Sequence, residues 1–393
     1  MINCKTLIVS YHLAQQKIGR PWQVYKALKK LPVAGNIKII GSNFDHIKKV
    51  SITDQYFRLN VPSYTKNISL KRLCSYLVFA RKLNKFVKVI KPKLVYTCVP
   101  DYIAAMLLLQ KKTVIKTKII IDFVDLWPEA LPLPKLINIL LKDIGGLFFR
   151  PVRRWLFRKA DMMLFQSVHF LKQFGGGSSN YKFLPMCSSG KALLKIDAIR
   201  TTIKDEIRIL FLGSLNNITD TESLISMLNL LARHRKVCLS VVGGGQGLKK
   251  LRQRLANTAV YLILRGFTFD QGVKKMEMAQ AHFGFNGYKE TTDVSVSYKA
   301  LDYLQHGLPI INYTKGDLTN LLSDNDCGYN YQPGAVKTTV NKILSLTDCD
   351  HKKMCRNARR VFEENFSFAR FRATLAGYVE SLFPEGRKRK ASA

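Results

Sequence analysis

The chain has 393 residues, which is too long for one ordinary domain and sufficient for two. With 47% hydrophobic and 23% charged residues it can bury hydrophobic cores, which excludes a disordered chain. Its formal net charge of +36 points to an anionic partner, which could be a nucleic acid, an anionic membrane surface or a phosphorylated substrate.

The positive charge is concentrated in the N-terminal half of the chain. Residues 1–188 contain 32 Lys+Arg and 8 Asp+Glu, a net charge of +24, whereas the other residues contain 31 and 19, a net charge of +12. No acidic residue occurs between Asp54 and Asp101. An anionic surface is therefore expected to attract mainly the N-terminal half.

The spacing of the cysteines and the lengths of the apolar runs indicate the cellular compartment of the protein. The eight cysteines form no CxxC pair and no Cys/His cluster, which argues against a structural zinc site and suits a reducing cytosol. The apolar run at the N-terminus is soon interrupted by polar residues, so we expect a first strand there and not a signal peptide. No apolar run reaches the ~20 residues of a membrane-spanning helix, so any membrane contact is expected to be peripheral.

In the N-terminal half, short β-rich runs alternate with helical periods, which is typical of a parallel α/β sheet. The predicted strands are Thr6–Ser10, Ile37–Ile40, Leu94–Cys98 and Lys118–Phe123, and the predicted helices are Trp22–Lys30, 70–91 and 101–111. The GGGSS run at 175–179 and the stretch 185–204 lack periodic apolar residues, so a domain boundary is expected near 188–205.

The alternation of strands and helices restarts after this boundary. The predicted strands are Ile207–Leu212, Val237–Val242, Ala259–Leu264, Ala281–Asn286 and Leu308–Asn312. The predicted helices are Thr221–Arg233, Leu248–Asn257, 270–279, Ser297–His306, Lys352–Asn365 and Phe368–Leu382, with Gly307 capping the fourth of them. The sequence thus predicts two Rossmann-like, doubly wound α/β domains that face a cleft.

The predicted domain limits follow from these elements. They are an N-terminal domain at 1–188, a linker at 189–205, a C-terminal domain at 206–365, a last helix at 366–383 that could pack back on the N-terminal domain, and a disordered basic tail at 384–393.

Two glycine-bearing turns end predicted strands of the second domain, one at Gly213 and one at Gly243–Gly245. Open α/β sheets bind ligands at this edge, and glycine lets backbone amides approach a pyrophosphate near a helix N-terminus. Neither turn is a GxGxxG or a Walker A sequence. Each turn alone is equally consistent with a tight connection that binds no ligand.

The stronger signal is the ordered series FLGSL, VVGGGQGLKKL, LRGF, AHFGFNGY and SVSYKALDYLQHGLPIIN. In order and spacing, residues 207–323 resemble the donor domain of family 4 glycosyltransferases, which have the GT-B fold. The resemblance implies a transferase that uses a nucleoside-diphosphate sugar as donor substrate, retains the anomeric configuration and needs neither a metal nor a further cofactor. It also implies a role in bacterial surface polysaccharide synthesis.

By that resemblance, Asp302 holds the ribose hydroxyls of the nucleotide and Lys299 points at the phosphates. The other implied donor-binding residues are Gly213, Ser214, Gly243, Gly244, Gly245 and Arg265. The alternatives are an ordinary helix acid and a solvated lysine. Two departures from the family pattern leave open that the chain is a catalytically inactive member. The loop GSLNNITD lacks the usual basic residues of the family, and Val294 stands where a Glu is common.

In the N-terminal half, IIDFVDLWPEA resembles the D-x-x-D-L-W-P-E segment of polysaccharide-building members of the same family. By resemblance Asp125, or as second choice Asp122, is a catalytic candidate that acts on the acceptor hydroxyl or the transferred sugar. The alternative is a loop acid that caps a helix. Gly19 and Arg20 match the family's cleft-facing glycine loop loosely, and His12 in that loop is left unassigned.

Two basic amphipathic stretches, 70–91 and 136–159, could lie on an anionic bilayer or could be core-facing helices with a solvated basic face. A lipid-linked or saccharide acceptor at the inner face of the plasma membrane would account for the charge. The sequence therefore predicts a cytoplasmic, peripheral membrane enzyme whose partners are a nucleotide sugar, that acceptor and the anionic membrane.

Four alternatives remain. A nucleic-acid-binding protein would suit the charge, but no motif of that class occurs, so no nucleic acid is expected. A metal-dependent GT-A transferase would need a DxD motif after a strand, and the two DxD runs, Asp324–Asp326 and Asp348–Asp350, fall in predicted turns. A sugar-nucleotide epimerase lacks supporting residues. The non-enzymatic alternative is a GT-B-like partner subunit of an active transferase.

Overall fold

A computed structural model describes residues 5–46, 48–54, 56–66, 69–99, 102–124, 146–174, 180–188, 201–268 and 270–384. The chain divides into two compact units. The first unit contains Met1–Pro185 together with Phe368–Ala393, and the second contains Met186–Ser367. The predicted linker lies mostly outside the described residues, and its described part, 201–205, belongs to the second unit, in whose core Ile203 is fully buried.

The strands of the first unit are β1 Thr6–Val9, β2 Ile37–Ser42, β3 Phe44–Asp45, β4 Val50–Ser51, β5 Phe57–Leu59, β6 Leu94–Val99, β7 Lys118–Phe123, β8 Met162–Phe165 and β9 Tyr181–Phe183. All but the small antiparallel hairpin β3–β4 form one parallel sheet in the order β5-β2-β1-β6-β7-β8-β9. The winding reverses between β1 and β6, which makes that place the switch point of a doubly wound sheet.

The helices of the first unit are Arg20–Leu28, Leu70–Ile90, Tyr102–Ile115, Gly146–Lys159, Val168–Phe174 and Phe368–Ser381, with a 3-10 turn at Pro32–Ala34. The strands β1 and β6 are buried along their whole length, as parallel strands covered on both faces must be. In the helix Leu70–Ile90, Phe79, Leu83 and Val87 lie in the core. The apolar stripe of that stretch is therefore a core stripe.

The last helix, Phe368–Ser381, is part of the first unit although it follows the second unit in the chain. Its residues Phe371, Leu375 and Val379 recur at intervals of four and are buried. The Tyr378 hydroxyl donates a hydrogen bond of 2.9 Å to the carbonyl oxygen of Phe183. A helical period at the end of the chain thus completes the core of the first unit.

The strands of the second unit are β10 Glu206–Ser214, β11 Lys236–Gly244, β12 Val260–Gly266, β13 Phe283–Gly287, β14 Ile310–Tyr313 and β15 Gly328–Asn330. They form a parallel sheet in the order β12-β11-β10-β13-β14-β15, with the switch point between β10 and β13. The helices are Thr221–Ala232, Gly247–Leu255, Gln271–Gln280, Tyr298–Gln305, Asp317–Asp324, Lys337–Leu344 and Asp348–Asn365.

The structure confirms two doubly wound α/β folds and the strands and helices predicted for them. It adds short elements that the sequence did not indicate, among them β5, β9 and β15, each of three residues. The two DxD runs are not simple turns, since Asp324 ends one helix and Asp348 begins another.

Candidate functional site

The two central strands of the second sheet separate at its switch point. β10 and β13 pair only at Ile209–Phe283 and Leu210–Gly284. Beyond these pairs the buried Tyr303 hydroxyl stands between the strands, accepting from the Leu212 amide at 2.9 Å and lying 3.1 and 3.3 Å from the carbonyl oxygens of Leu210 and Phe285. The carboxyl ends of β10 and β13 are thereby held apart, which opens the place where such sheets bind ligands.

The predicted glycine turns lie side by side at this edge. Gly213 and Gly243 are paired in register, and a Cβ on Gly243 would stand 1.9 Å from the Gly213 carbonyl oxygen. The Leu215 amide donates to the Gly244 carbonyl oxygen at 2.7 Å, which ties one turn to the other. The backbones approach this closely only because Gly243 has no side chain. Among the predicted residues here, Gly213, Ser214 and Gly245 are exposed.

The helix Tyr298–Gln305 (the site helix) begins at the same edge, directly after β13. Its N-cap, Ser297, donates to the Asn286 side chain at 2.7 Å. A ladder of side-chain amides continues from the buried Asn286 to the buried Asn312 and from Asn312 to the partly buried Asn330, each at 2.8 Å. This ladder joins the ends of β13, β14 and β15 and fixes the start of the helix. The sequence analysis did not predict this ladder, although the sequence has an asparagine at or next to the end of each of the three strands.

Lys299, in the first turn of the site helix, is held between two aromatic rings. Its Nζ lies 4.8 Å from the centre of the Phe211 ring and 4.4 Å from that of Tyr288. Burial lowers the pKa of Lys299 to about 7. In the described part of the chain no carboxylate pairs with it. A partly desolvated ammonium that lacks a counterion is suited to bind an anion.

Asp302 follows three residues later, so it lies on the same face of the site helix as Lys299. Burial raises its pKa, and the charge of Lys274 opposes that shift. The carboxylate is half-buried, and no donor to it occurs among the described residues. The site helix therefore offers a cation and, one turn on, a carboxylate that can accept hydrogen bonds from hydroxyl groups.

Arg265 lies apart from the other predicted donor-binding residues. It lies at the end of β12, the edge strand, which β11 separates from the switch point. Its Nε donates to Glu277 at 2.7 Å, and the same buried carboxylate accepts from Ser240 at 2.5 Å. Arg265 thus has a structural partner and lies about two strand spacings, roughly 10 Å, from β10. Its side chain is 40% exposed, and its role in donor binding stays a prediction.

The predicted acceptor-side residues Arg20 and Asp122 form a buried ion pair. Arg20 donates to the two Asp122 oxygens at 2.8 and 3.2 Å and to the carbonyl oxygens of Leu184 and Pro185 at 2.7 and 2.8 Å. The Tyr96 hydroxyl donates to the same carboxylate at 2.5 Å. Burial alone would lower the pKa of Arg20, but the Asp122 charge raises it.

This ion pair bears on the predictions made for Asp122 and Arg20. Asp122 is fully buried with both oxygens occupied, and Arg20 is enclosed beneath the ring of Phe371 at 4.9 Å. This burial and pairing favour a structural role for both residues, and their roles at the site stay predictions. Gly19 is exposed, with a φ of 88°, and caps the helix that begins at Arg20. Asp125 lies outside the described residues and stays a prediction.

Residues 206–349 match the family model of glycosyl transferases group 1. The second unit carries a group 1 glycosyl transferase domain. No curated protein is significantly similar to the chain in sequence.

Solved structures extend the likeness to both units. HepE of Anabaena in complex with UDP is 14% identical, with a TM-score of 0.66, covering 96% of this chain and 100% of that one. Sucrose-phosphate synthase of Thermosynechococcus elongatus is 13% identical, with a TM-score of 0.69, covering 97% and 99%. The lipopolysaccharide outer core galactosyltransferase WaaB is 12% identical, with a TM-score of 0.61, covering 95% and 99%. The chain thus has the GT-B fold.

The pKa of Lys299 in the group 1 domain can be measured directly. After reductive methylation with carbon-13 formaldehyde, NMR titration should show one lysine with a pKa of about 7 instead of the ordinary 10.5, and Lys299→Met should remove that signal alone. Between the two pKa values the unfolded chain binds the extra proton, so stability rises with pH through this window. At neutral pH, Lys299→Met should therefore unfold at a higher temperature than the parent chain. A lysine set that titrates uniformly would contradict the assignment.

The ion pair between Arg20 and Asp122 predicts that Asp122→Asn destabilises the first unit. This change leaves the Arg20 guanidinium buried without its carboxylate, so the first unit should lose about 3–5 kcal/mol of unfolding free energy. Denaturation followed by tryptophan fluorescence measures this, because all three tryptophans of the chain precede residue 186 in the sequence. The double variant Arg20→Met with Asp122→Leu should recover most of the loss. Unchanged stability in Asp122→Asn would return Asp122 to the catalytic candidates.

Proposed function

We propose that the chain is a glycosyltransferase that moves a sugar from a nucleoside-diphosphate sugar to an acceptor with retention of the anomeric configuration. The observation that carries the proposal is the pair Lys299 and Asp302 at the switch point of the group 1 domain, each without an ionic partner in the described residues. HepE of the same fold is known in complex with UDP and with UDP-glucose, which supports a uridine nucleotide as the donor.

In the proposed donor site, Lys299 and the backbone amides of the turns at Gly213 and Gly243 hold the diphosphate. Asp302 accepts hydrogen bonds from the ribose hydroxyls. Because the loop 213–220 contains no basic residue, Lys299 supplies the positive charge that stabilises the departing diphosphate. Its position between two rings keeps water away from that charge and strengthens its attraction to the leaving group.

The acceptor proposed is a saccharide, lipid-linked at the inner face of the plasma membrane, and Asp125 is the proposed acceptor-side residue. Two features support a membrane contact: the net charge of +24 in residues 1–188 and the start of the helix Leu70–Ile90. There Leu70 and Leu73 are 80% and 47% exposed beside the exposed Lys71. The resemblance in fold to a lipopolysaccharide galactosyltransferase is consistent with such an acceptor. No helix in the described ranges is long and apolar enough to cross a bilayer.

A second candidate is a non-catalytic partner subunit of an active transferase. It is favoured by the loop 213–220, which lacks basic residues, and by Val294 in place of the glutamate common in the family. Release of UDP from UDP-sugars separates the two candidates, since a partner subunit would release none.

The donor site makes a prediction that distinguishes its two residues. Asp302→Ala should weaken binding of both uridine and UDP, because the ribose loses a charged acceptor worth roughly 1.5–3 kcal/mol. Lys299→Met should weaken binding of UDP by at least about tenfold and leave uridine unchanged. Calorimetry measures both, and Asp324→Ala, which removes an exposed acid of the same unit, serves as control. Equal losses of uridine and UDP in Lys299→Met would remove Lys299 from the phosphate site.

The membrane contact makes its own prediction. Vesicles that contain phosphatidylglycerol should sediment the chain at low salt and release it at high salt, because salt screens surface charges. Leu70→Ser with Leu73→Ser should reduce sedimentation. Val114→Ser, which removes an apolar side chain that is 72% exposed elsewhere in the first unit, should not. A nucleic-acid-binding protein would instead prefer RNA or DNA to such vesicles.

A further inference from the structure

The switch point of the first sheet carries a cluster of basic and aromatic residues that the donor site does not use. His12 follows β1, which pairs with β2 on one side and β6 on the other. His46 and Lys49 belong to the hairpin β3–β4, and Arg72 lies in the first turn of the helix Leu70–Ile90. These four residues are the histidine cluster. They come from three separate segments of the chain.

Short contacts join the members of the histidine cluster. The rings of His12 and His46 are 4.8 Å apart between centres. His46 Nδ1 lies 2.8 Å from the Tyr64 hydroxyl and 3.4 Å from Lys49 Nζ. Arg72 donates to the Tyr76 hydroxyl through Nε at 3.1 Å and Nη2 at 2.8 Å, and His12 Nε2 lies 3.1 Å from the same oxygen.

These contacts engage one of the two ring nitrogens of His12. His12 Nε2 and the Tyr76 hydroxyl share a hydrogen bond whose direction depends on the tautomer of His12. The other ring nitrogen of His12 is Nδ1. That atom is buried and has no hydrogen-bond partner among the described residues. A buried polar nitrogen without a hydrogen bond is destabilising, and a ligand that bonds to it removes that cost.

The charges of the cluster are mutually repulsive. Burial, and then the charges of His46, Arg72 and Lys49, lower the pKa of His12 to about 3, and only Asp45 opposes this. Burial, Lys49 and Arg72 lower the pKa of His46 to about 4, again against Asp45. Burial and Arg72 also lower the pKa of Lys49. The charges of Lys49 and Arg72 thus act on both imidazoles in one direction, and that of Asp45 acts in the other.

We infer that the histidine cluster binds a phosphoryl group. A phosphate monoester carries a charge of about −1.5 to −2 at neutral pH and accepts several hydrogen bonds. It would pair with Lys49 and Arg72, accept from His12 when Nδ1 carries a hydrogen, and reduce the repulsion among the positive charges of the cluster. A neutral sugar hydroxyl would relieve none of it.

On the further condition that the proposed transferase function holds, this phosphoryl group belongs to the acceptor. The first turn that carries Arg72 also carries the exposed Leu70 and Leu73, so a phosphate on a lipid could reach the cluster from a membrane surface. A water-soluble sugar phosphate has the same headgroup chemistry, and the experiment separates the two sources.

The test is calorimetry of the full chain with inorganic phosphate, with the donor site occupied by UDP. Phosphate binding should be accompanied by proton uptake, because an anion raises the depressed pKa of His46, and it should tighten as the pH falls. Arg72→Gln should weaken binding by about tenfold or more. Arg81→Gln, an equal loss of charge at an exposed position of the same helix, should leave it unchanged. Equal binding by these two variants would overturn the inference.

Stability provides the second readout. Without phosphate, Lys49→Gln should unfold no earlier than the parent chain, because it removes a repelled charge, whereas Lys48→Gln at the neighbouring exposed position should have no effect. Phosphate should raise the melting temperature of the parent and of Lys48→Gln but not of Lys49→Gln. A cluster that only supports the fold would show the reverse: Lys49→Gln would lower the melting temperature, and phosphate would shift all three chains alike.

Two further arms identify the source of the phosphate. Binding of glucose 1-phosphate that depends on Arg72 supports a soluble source, and binding to vesicles with phosphatidic acid in preference to phosphatidylglycerol supports a lipid. If neither the binding of glucose 1-phosphate nor the binding to phosphatidic acid vesicles depends on Arg72, the inference is overturned. Lys299→Met should lose UDP and keep phosphate, so a failed donor site with intact phosphate binding would overturn the transferase proposal and leave the phosphoryl site standing.

Discussion

The reversal of winding in each sheet is the constraint on which the candidate sites depend. At the second switch point, β10 and β13 keep only two residue pairs, and their backbone groups beyond those pairs need other partners. The Tyr303 hydroxyl supplies one, and Gly284 makes room for its ring, since a Cβ there would stand 2.5 Å from it. Because Tyr303 and Lys299 share one short helix, the side chain that holds the strands apart also positions the ammonium at the gap.

The ionised groups of the protein divide according to how completely they are paired. Arg20 and Asp122 are fully buried and satisfy one another with help from Tyr96, so the pair belongs to the architecture. Lys299 and the two histidines of the cluster are also desolvated, yet the described residues give Lys299 no counterion, and among the charges that act on the histidines Asp45 is the acid that opposes their pKa shifts. Charge held in this way destabilises the folded chain, and binding of an anion reverses that effect. The pairing of a charge, more than its burial, separates a structural residue from a candidate ligand site.

The sequence predicts those features that are local. β-rich runs mark the long strands, the glycine turns mark their carboxyl ends, and the spacing in SYKALDYLQHG places Lys299 and Asp302 on one helix face. Contacts between distant segments leave no such pattern. Arg20 and Asp122 are 102 residues apart, so an acid at a strand end resembled a catalytic group until its partner was known. Three-residue strands such as β9 are too short for a period to appear.

The histidine cluster shows the same limit and bears on the excess of positive charge. The helix Leu70–Ile90 contains no acid, and like charges such as Arg81 and Lys85 stand one turn apart, which destabilises a helix by about 0.2–0.5 kcal/mol per pair. Burial of Phe79, Leu83 and Val87, worth roughly 1.5–3 kcal/mol each, outweighs that repulsion. Binding of an anion reduces the repulsion among the positive charges of this helix. The anion could be a phosphoryl group at Arg72 or an anionic surface near Leu70. Stability and binding in the first unit are therefore linked through the same residues.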